Sequence, residues 1–272
     1  MPEGDTVWLA AKRMRDALAG HELTETDFRV PRYATSDLSG QTVLDVVARG
    51  KHMLTRLDNG VTLHTHFEMD GTWRIFAPDQ KWTGGPAHEI RIVLSTTNAR
   101  AVGYRIPVID LLPTAEEASV IGHLGPDLLD PGFDADEAVR RLLEHPSITI
   151  GEALLDQRNL AGIGNLYKAE VLFLTGVNPW TPVGETTNLP KVVSLARRLL
   201  LANRDRDEQI TTGNRRRGEQ TWVYGRAARP CRRCGATVRR ADQGPPGRER
   251  VTFWCERCQT GPAAMPAAIN PA

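Results

Sequence analysis

The chain has 272 residues, 34 Lys and Arg against 33 Asp and Glu, 40% hydrophobic residues, 24 Gly and 18 Pro. This is ordinary globular composition, neither disordered nor collagenous, at a length that suits one large or two modest domains. Apolar runs stop at four or five residues (Val7–Ala11, Val171–Leu174), too short for a membrane helix, and the acidic opening Pro2-Glu3-Gly4-Asp5 lacks the apolar stretch of a secretory signal. The expectation is a cytoplasmic protein that does not engage a membrane.

Residues 5 to 20 read as a helix, capped by Asp5 or Thr6, with an apolar stripe of Val7, Trp8, Ala11, Met14 and Leu18 and a stop at Gly20. From about 23 to 112 the pattern changes to short β runs: Thr42–Val47, His52–Leu57, Val61–Phe67, Trp73–Phe76, Ile90–Leu94 and Arg105–Leu111. Asn59-Gly60 between two of them is a strong hairpin signal. A block of antiparallel strands predicts a β-sandwich or flattened barrel. From 114 the period is helical. Thr114–Glu117 resembles a capping box, and Ala135–Leu143, Ile150–Gln157, Leu166–Leu174 and Leu189–Asn203 follow as helices. The expected organisation is a helix plus β domain over 1–113, a helical domain over 114–225, a cysteine-rich ribbon over 226–260, and a disordered tail over 261–272.

The net charge of +1 conceals an asymmetry. Between Arg197 and Arg257 there are 16 Arg, no Lys and 7 acids, or +9, which leaves −8 for the remainder. A segment that basic suits a phosphate-bearing partner, although a solvated arginine face has the same composition. All four cysteines fall within it, as Cys231-x-x-Cys234 and, twenty residues on, Cys255-x-x-Cys258. Two such pairs supply four thiolates for one tetrahedral structural Zn2+, a closed site with no open position for catalysis. Two further features are weaker alone. Gly162 and Gly164 precede Asn165 and an amphipathic run, a tight turn opening a helix whose start could hold phosphate or merely pack closely. Pro2, once Met1 is removed, would offer a secondary amine; α-amino groups have pKa values near 8, so a useful neutral fraction exists at pH 7. Such an amine can add to a sugar aldehyde carbon and act as an electron sink, with Glu3 beside it as acid or base.

Taken in order, several motifs resemble one family. They are Pro2-Glu3-Gly4-Asp5-Thr6, Arg49-Gly50-Lys51-His52, His64-Thr65-His66-Phe67-Glu68-Met69-Asp70-Gly71, Leu155 through Asn165, and Arg250 through Gln259. The chain resembles the Fpg/Nei DNA glycosylases from residue 2 to about 259, and its opening looks most like the endonuclease VIII (Nei) branch of actinobacterial type. The resemblance implies a two-lobed α+β fold: an N-terminal two-layered β-sandwich, then a helix–two-turns–helix domain carrying a four-cysteine zinc-finger β-hairpin. It further implies a bifunctional DNA glycosylase and AP lyase of base-excision repair, a monomer acting on damaged DNA. By resemblance Pro2 is the nucleophile that attacks C1′ and forms a Schiff base, Glu3 the acid/base, and Lys51 the β-elimination lysine. Asn165 matches a phosphate-gripping residue. Arg250 matches the zinc-finger arginine that clamps the same region and aids δ-elimination. Met69 matches the side chain inserted where the base was flipped out, with Glu68 and His123 beside the DNA. Cys231, Cys234, Cys255 and Cys258 match the zinc ligands.

The match has departures. Glu68 stands where relatives often have glycine or glutamine, and His123 where some have arginine. The 100–110 loop has no Arg-Phe pair of the kind the Fpg branch places opposite the lesion, which favours oxidised pyrimidines over 8-oxoguanine. His64, His66 and His88 read as polar packing or strand residues, and Trp222 through Arg226 as a structural entry to the finger. Without the resemblance, Lys51 is a strand lysine and Met69 a core methionine. The alternatives for the whole chain are a non-catalytic damaged-DNA-binding member and one that processes only abasic sites.

Overall fold

The computed structural model describes residues 2–264; of the tail expected to be disordered, residues 265–272 lie outside the described part. The chain forms two compact units, one up to His123 and one from Leu124.

The first unit opens with α1 (Gly4–Leu18), which starts one residue earlier than the sequence pattern suggests because Glu3, not Asp5 or Thr6, is its N-cap. Glu3 has extended backbone, and its N–H donates to Thr6 Oγ1 at 3.5 Å. Of the predicted stripe, Val7, Ala11, Met14 and Leu18 are fully buried along one face and Trp8 is only half-buried; full burial of a side chain the size of Val, Met or Leu contributes about 2 kcal/mol. Two antiparallel four-stranded sheets follow. One has the order β1 (Glu25–Phe28), β6 (Ile90–Ser95), β7 (Arg100–Tyr104), β5 (Thr72–Phe76), and the other β2 (Val43–Arg49), β3 (His52–Leu57), β4 (Val61–His66), β8 (Val108–Pro113). Their inward residues (Val46, Met53 and Leu63 from one sheet; Phe28, Trp73, Ile92 and Leu94 from the other) form one core with α1, a two-layered sandwich.

The strand expected over Arg105–Leu111 starts only at Val108, as β8; residues 105–107 form the break between it and β7, which ends at Tyr104. Arg105 takes a left-handed backbone (φ 51°), its guanidinium pairs with Glu89, and Pro107 follows two residues on. Thr114–Glu117 forms no capping box. The Glu117 carboxylate receives two hydrogen bonds from Arg56 (2.7 and 2.8 Å) and one from Thr62 (2.8 Å), tying the short helix α2 (Ala118–Ile121) to the strands.

The second unit contains α3 (Ala135–Leu143), α4 (Ile150–Ala153), α5 (Asn165–Thr175) and α6 (Leu189–Asn203), followed by the hairpin β9 (Arg239–Gln243) and β10 (Arg250–Trp254). Helix α4 is shorter than the sequence suggested because the chain leaves it to make the turn before α5. Asn159 Nδ2 donates to Ala153 O (3.0 Å), and Gln157 Nε2 donates to both Leu155 O and Ile163 O (3.0 Å each). Side-chain amides thus replace the backbone partners that helix would have provided.

Candidate DNA-repair site

The residues singled out in the first unit lie at the start of α1 and at the ends of β2 to β4. Pro2 is half-buried, and Glu3 next to it is fully buried at the N-cap, where the positive end of the helix favours a carboxylate. Helix α1 packs on β2, which runs into the turn carrying Lys51. The turn between β4 and β5 carries Glu68 and Met69. Glu68 has a left-handed backbone (φ 47°), which explains why glycine suits this position, and its N–H donates to His66 Nδ1 (3.2 Å). Gly71 closes the turn by donating to Phe67 O (2.9 Å); a Cβ there would come within 2.7 Å of that same oxygen. Met69 is left 49% exposed at the tip, so the core-methionine reading of this residue does not hold.

What the sequence reading missed is how the histidines gather beside Lys51. Register pairs His52 with His66 and His64 with Asp110. His52 Nδ1 lies 2.8 Å from His64 Nε2, its ring is 4.8 Å from that of His66, and the exposed His123 stands edge-on to it at 6.0 Å. Burial first, and then the facing histidines and Lys51, push His52 down to about 3; burial and Lys51 push His66 down to about 4. His64 is also lowered by burial, against the pull of Asp110 at 3.6 Å. At neutral pH His52, His64 and His66 form an uncharged trio next to a lysine. A proton on His64 Nδ1 facing Asp110 makes His64 Nε2 an acceptor for His52 Nδ1–H.

In the second unit Asn165 is the first residue of α5. Its amide nitrogen donates to Val251 O (2.7 Å) across 86 residues of sequence, which places the α5 start beside exposed Arg250 on β10. Four hydrogen bonds reinforce this joint. Lys168, fully buried, donates to Thr252 Oγ1 (2.7 Å); Thr252 Oγ1 donates to Gln243 Oε1 (2.9 Å); and Gln243 Nε2 donates to Thr149 Oγ1 and Pro179 O (2.9 and 2.8 Å). The sequence signal for this was present in Lys168 and Glu170, two charges inside an otherwise apolar helical run.

The four cysteines are reduced, and their sulfurs all lie within 4.8 Å of one another. Cys231 and Cys258 sulfurs are 3.9 Å apart, those of Cys234 and Cys255 3.5 Å. A tetrahedron with metal–sulfur distances of about 2.3 Å has edges of about 3.8 Å, so the cluster fits one four-coordinate ion. The Ala236 N–H draws the Cys234 thiol down to about 7, whereas burial pushes Cys255 up and Cys258 up to about 12. Behind it, Gln259 clasps the second pair: its Oε1 accepts from Cys255 N–H (3.0 Å) and its Nε2 donates to Val177 O (2.9 Å).

A sandwich opened by a helix, a helical unit with a turn before α5, and a four-cysteine hairpin define a known class. Residues 1–106 match the family model described as the formamidopyrimidine-DNA glycosylase N-terminal domain, and 124–199 match its H2TH domain. The chain belongs to the Fpg/Nei family of DNA glycosylases. It is 60% identical to the Streptomyces coelicolor protein named probable endonuclease 8 2, over 98% of this chain and 96% of that one. It is 45% identical to the Mycolicibacterium smegmatis DNA-(apurinic or apyrimidinic site) lyase Nei2, over 96% and 99%. Among solved structures, Lactococcus lactis Fpg in complex with abasic-site DNA superposes with a TM-score of 0.80 at 19% identity, over 95% of this chain and all of that one.

Proposed function

We propose that this DNA glycosylase and AP lyase of base-excision repair removes oxidised bases, pyrimidines foremost, and then cuts the strand by successive β- and δ-elimination. The observation that carries the reading is the match to named endonuclease 8 and AP-lyase relatives over nearly the whole chain, with Pro2 and Glu3 at the start of α1.

In the chemistry proposed, the Pro2 nitrogen forms a bond to C1′ as the glycosidic bond breaks and its electron pair leaves with the base. Ring opening then gives a cationic iminium. Removal of a C2′ proton feeds electrons into that iminium and expels the 3′ phosphate; the δ step expels the 5′ phosphate. Buried Glu3 would shuttle protons to the base and sugar. Lys51 would assist β-elimination as a cation beside the neutral rings of His52 and His66. Reaching C1′ requires extruding the nucleotide, at a cost of a few kcal/mol, roughly, and exposed Met69 would fill the gap. Asn165 and Arg250 would hold the flanking phosphate. With the Asn165 amide nitrogen on Val251 O, the helix-start backbone would contribute there. A Zn2+ on Cys231, Cys234, Cys255 and Cys258 would supply structural cross-linking of the hairpin, not catalysis.

The second reading, an enzyme that processes abasic sites with little base removal, is favoured by the name of the 45% identical relative. Borohydride trapping of protein beginning at Pro2 on duplexes bearing either an abasic site or an oxidised pyrimidine separates the two. We expect an adduct mapped to Pro2 on both substrates, and none with Met1 retained. An adduct on the abasic duplex alone selects the second reading; full trapping with Met1 retained removes Pro2 from the mechanism.

A further inference from the structure

Arg215, Arg216 and Arg217 are consecutive, exposed and without any side-chain hydrogen bond or ion pair among the described residues. Other arginines of the basic segment are engaged: Arg226 donates to Trp222 O and Pro230 O, Arg232 pairs with Glu219, and Arg239 with Glu256. Three adjacent guanidiniums repel one another, and the nearest acid in sequence, Glu219, is already held by Arg232. Their segment is nevertheless ordered. Thr212 Oγ1 accepts from Asn214 N–H (3.1 Å), Asn214 Oδ1 from Arg216 N–H (3.0 Å), Arg216 O from Glu219 N–H (2.9 Å), and Gln220 Oε1 from Gly218 N–H (2.7 Å). Gly213 and Gly218 bracket the tip with left-handed backbone (φ 80° and 81°).

The loop is fastened at two points. At its base the buried carboxylate of Glu170 accepts from the Thr211 hydroxyl and from the N–H groups of Trp222 (2.7 Å), Val223 and Tyr224 (2.9 Å each). At its side Arg232, within the Cys231-x-x-Cys234 knuckle, donates to Gly218 O (2.7 Å) and Thr221 O (3.0 Å) as well as to Glu219.

We propose that this loop is a phosphate-binding site, in which Arg215, Arg216 and Arg217 grip the DNA backbone and the cysteine knuckle holds the loop in place through Arg232. The proposal rests on the reading of the chain as a DNA-repair enzyme. The ligand chemistry follows from the charge: unpaired guanidiniums held at a fixed tip suit a polyanion, whose phosphates accept two parallel N–H bonds each and release counterions.

The test is a salt titration of binding, by fluorescence anisotropy, for the wild type and the R215Q/R216Q/R217Q variant, on one undamaged duplex and one with a single abasic-site analogue. The slope of log Kobs against log salt should become shallower by about 2.7, from about 0.9 per phosphate contact. Affinity should fall by the same factor on both duplexes. Borohydride trapping on a duplex with a true abasic site, whose C1′ aldehyde can form the imine, should stay at the wild-type level at low salt and saturating protein, which shows that the variant is folded. An unchanged slope overturns the proposal, as does a loss confined to the damaged duplex, which would assign the arginines to the lesion and not to phosphate. If the wild type itself binds neither duplex, the underlying DNA-repair reading fails instead.

Discussion

His52 is the residue whose surroundings matter most for acid behaviour. A free histidine titrates near 6.5, whereas His52 and His66 in the folded chain are pushed down to about 3 and about 4. Below pH 6.5 the unfolded chain takes up protons that the folded one refuses, so stability is fully present above that value and is lost progressively as pH falls toward the folded values. The groups facing the ring are Lys51, His64, His66 and His123, with Asp110 on the far side of His64. We expect urea midpoints to fall between pH 7.5 and pH 5, and the fall to be smaller in His52→Gln, which cannot titrate. Parallel midpoint curves for the two proteins would show that the array does not carry the effect. None of this was legible in advance: His64 and His66 were correctly read as strand residues, but their meeting with His52 depends on the β3–β4 register, and His123 reaches the group from beyond α2. By contrast Glu3 was singled out from the sequence, and its burial at the N-cap needed only the local helix start.

At the scale of elements, Glu170 on α5 organises a segment with no regular structure. Burial pushes its carboxyl pKa up, while the Thr211 hydroxyl and three backbone N–H groups pull the other way. The carboxylate gathers four donors on two oxygens, so replacing it with a neutral amide, which offers one acceptor oxygen, leaves them poorly satisfied. We expect Glu170→Gln to cost about 2–3 kcal/mol in denaturant unfolding, followed by the fluorescence of neighbouring Trp222. A cost of only about a few tenths of a kcal/mol would mean the segment is held by Arg232 alone. Element existence was legible wherever periodicity was long: α3 and α6 have the bounds the sequence predicted. It failed at Ile150–Gln157, where the apolar pattern continues but Gln157 and Asn159 use their amides to break the helix. The strand β1 falls inside the stretch read as β from about residue 23, but Glu25–Phe28 carries too few apolar residues to stand out as a run of its own, and it forms by pairing along β6.

For the whole molecule, the two units differ in what they need. The first is held by apolar packing, a main core and a second cluster around Tyr104; in the second, Cys231 and Cys255 pack beside Phe173 and Val223, and the Zn2+ proposed on the cysteines would cross-link the hairpin there. Stripping metal, verified by metal analysis, should therefore abolish duplex binding in a gel shift while most of the β-sheet circular dichroism persists. Binding that survives complete removal would show that the hairpin holds its shape through Gln243, Thr252 and Gln259 alone. The fold class was legible because its signals (a capped helix, alternating runs, a glycine turn, paired cysteines) are short-range. The second unit's joints were not, because they join residues far apart in sequence.

That separation also has a consequence in time. The joint between Asn165 and Val251 closes over 86 residues, and the Lys168–Thr252 contact beside it over 84. Contacts of such high order form only after the intervening chain has collapsed, since the entropy of closing the loop is lost before the contact rewards it. During synthesis the sandwich is complete while the hairpin is still unmade. A nascent or C-terminally truncated chain would thus have its α1 start assembled but lack the Asn165–Val251 joint, so the phosphate grip proposed for Asn165 and Arg250 would emerge last, with the final strand.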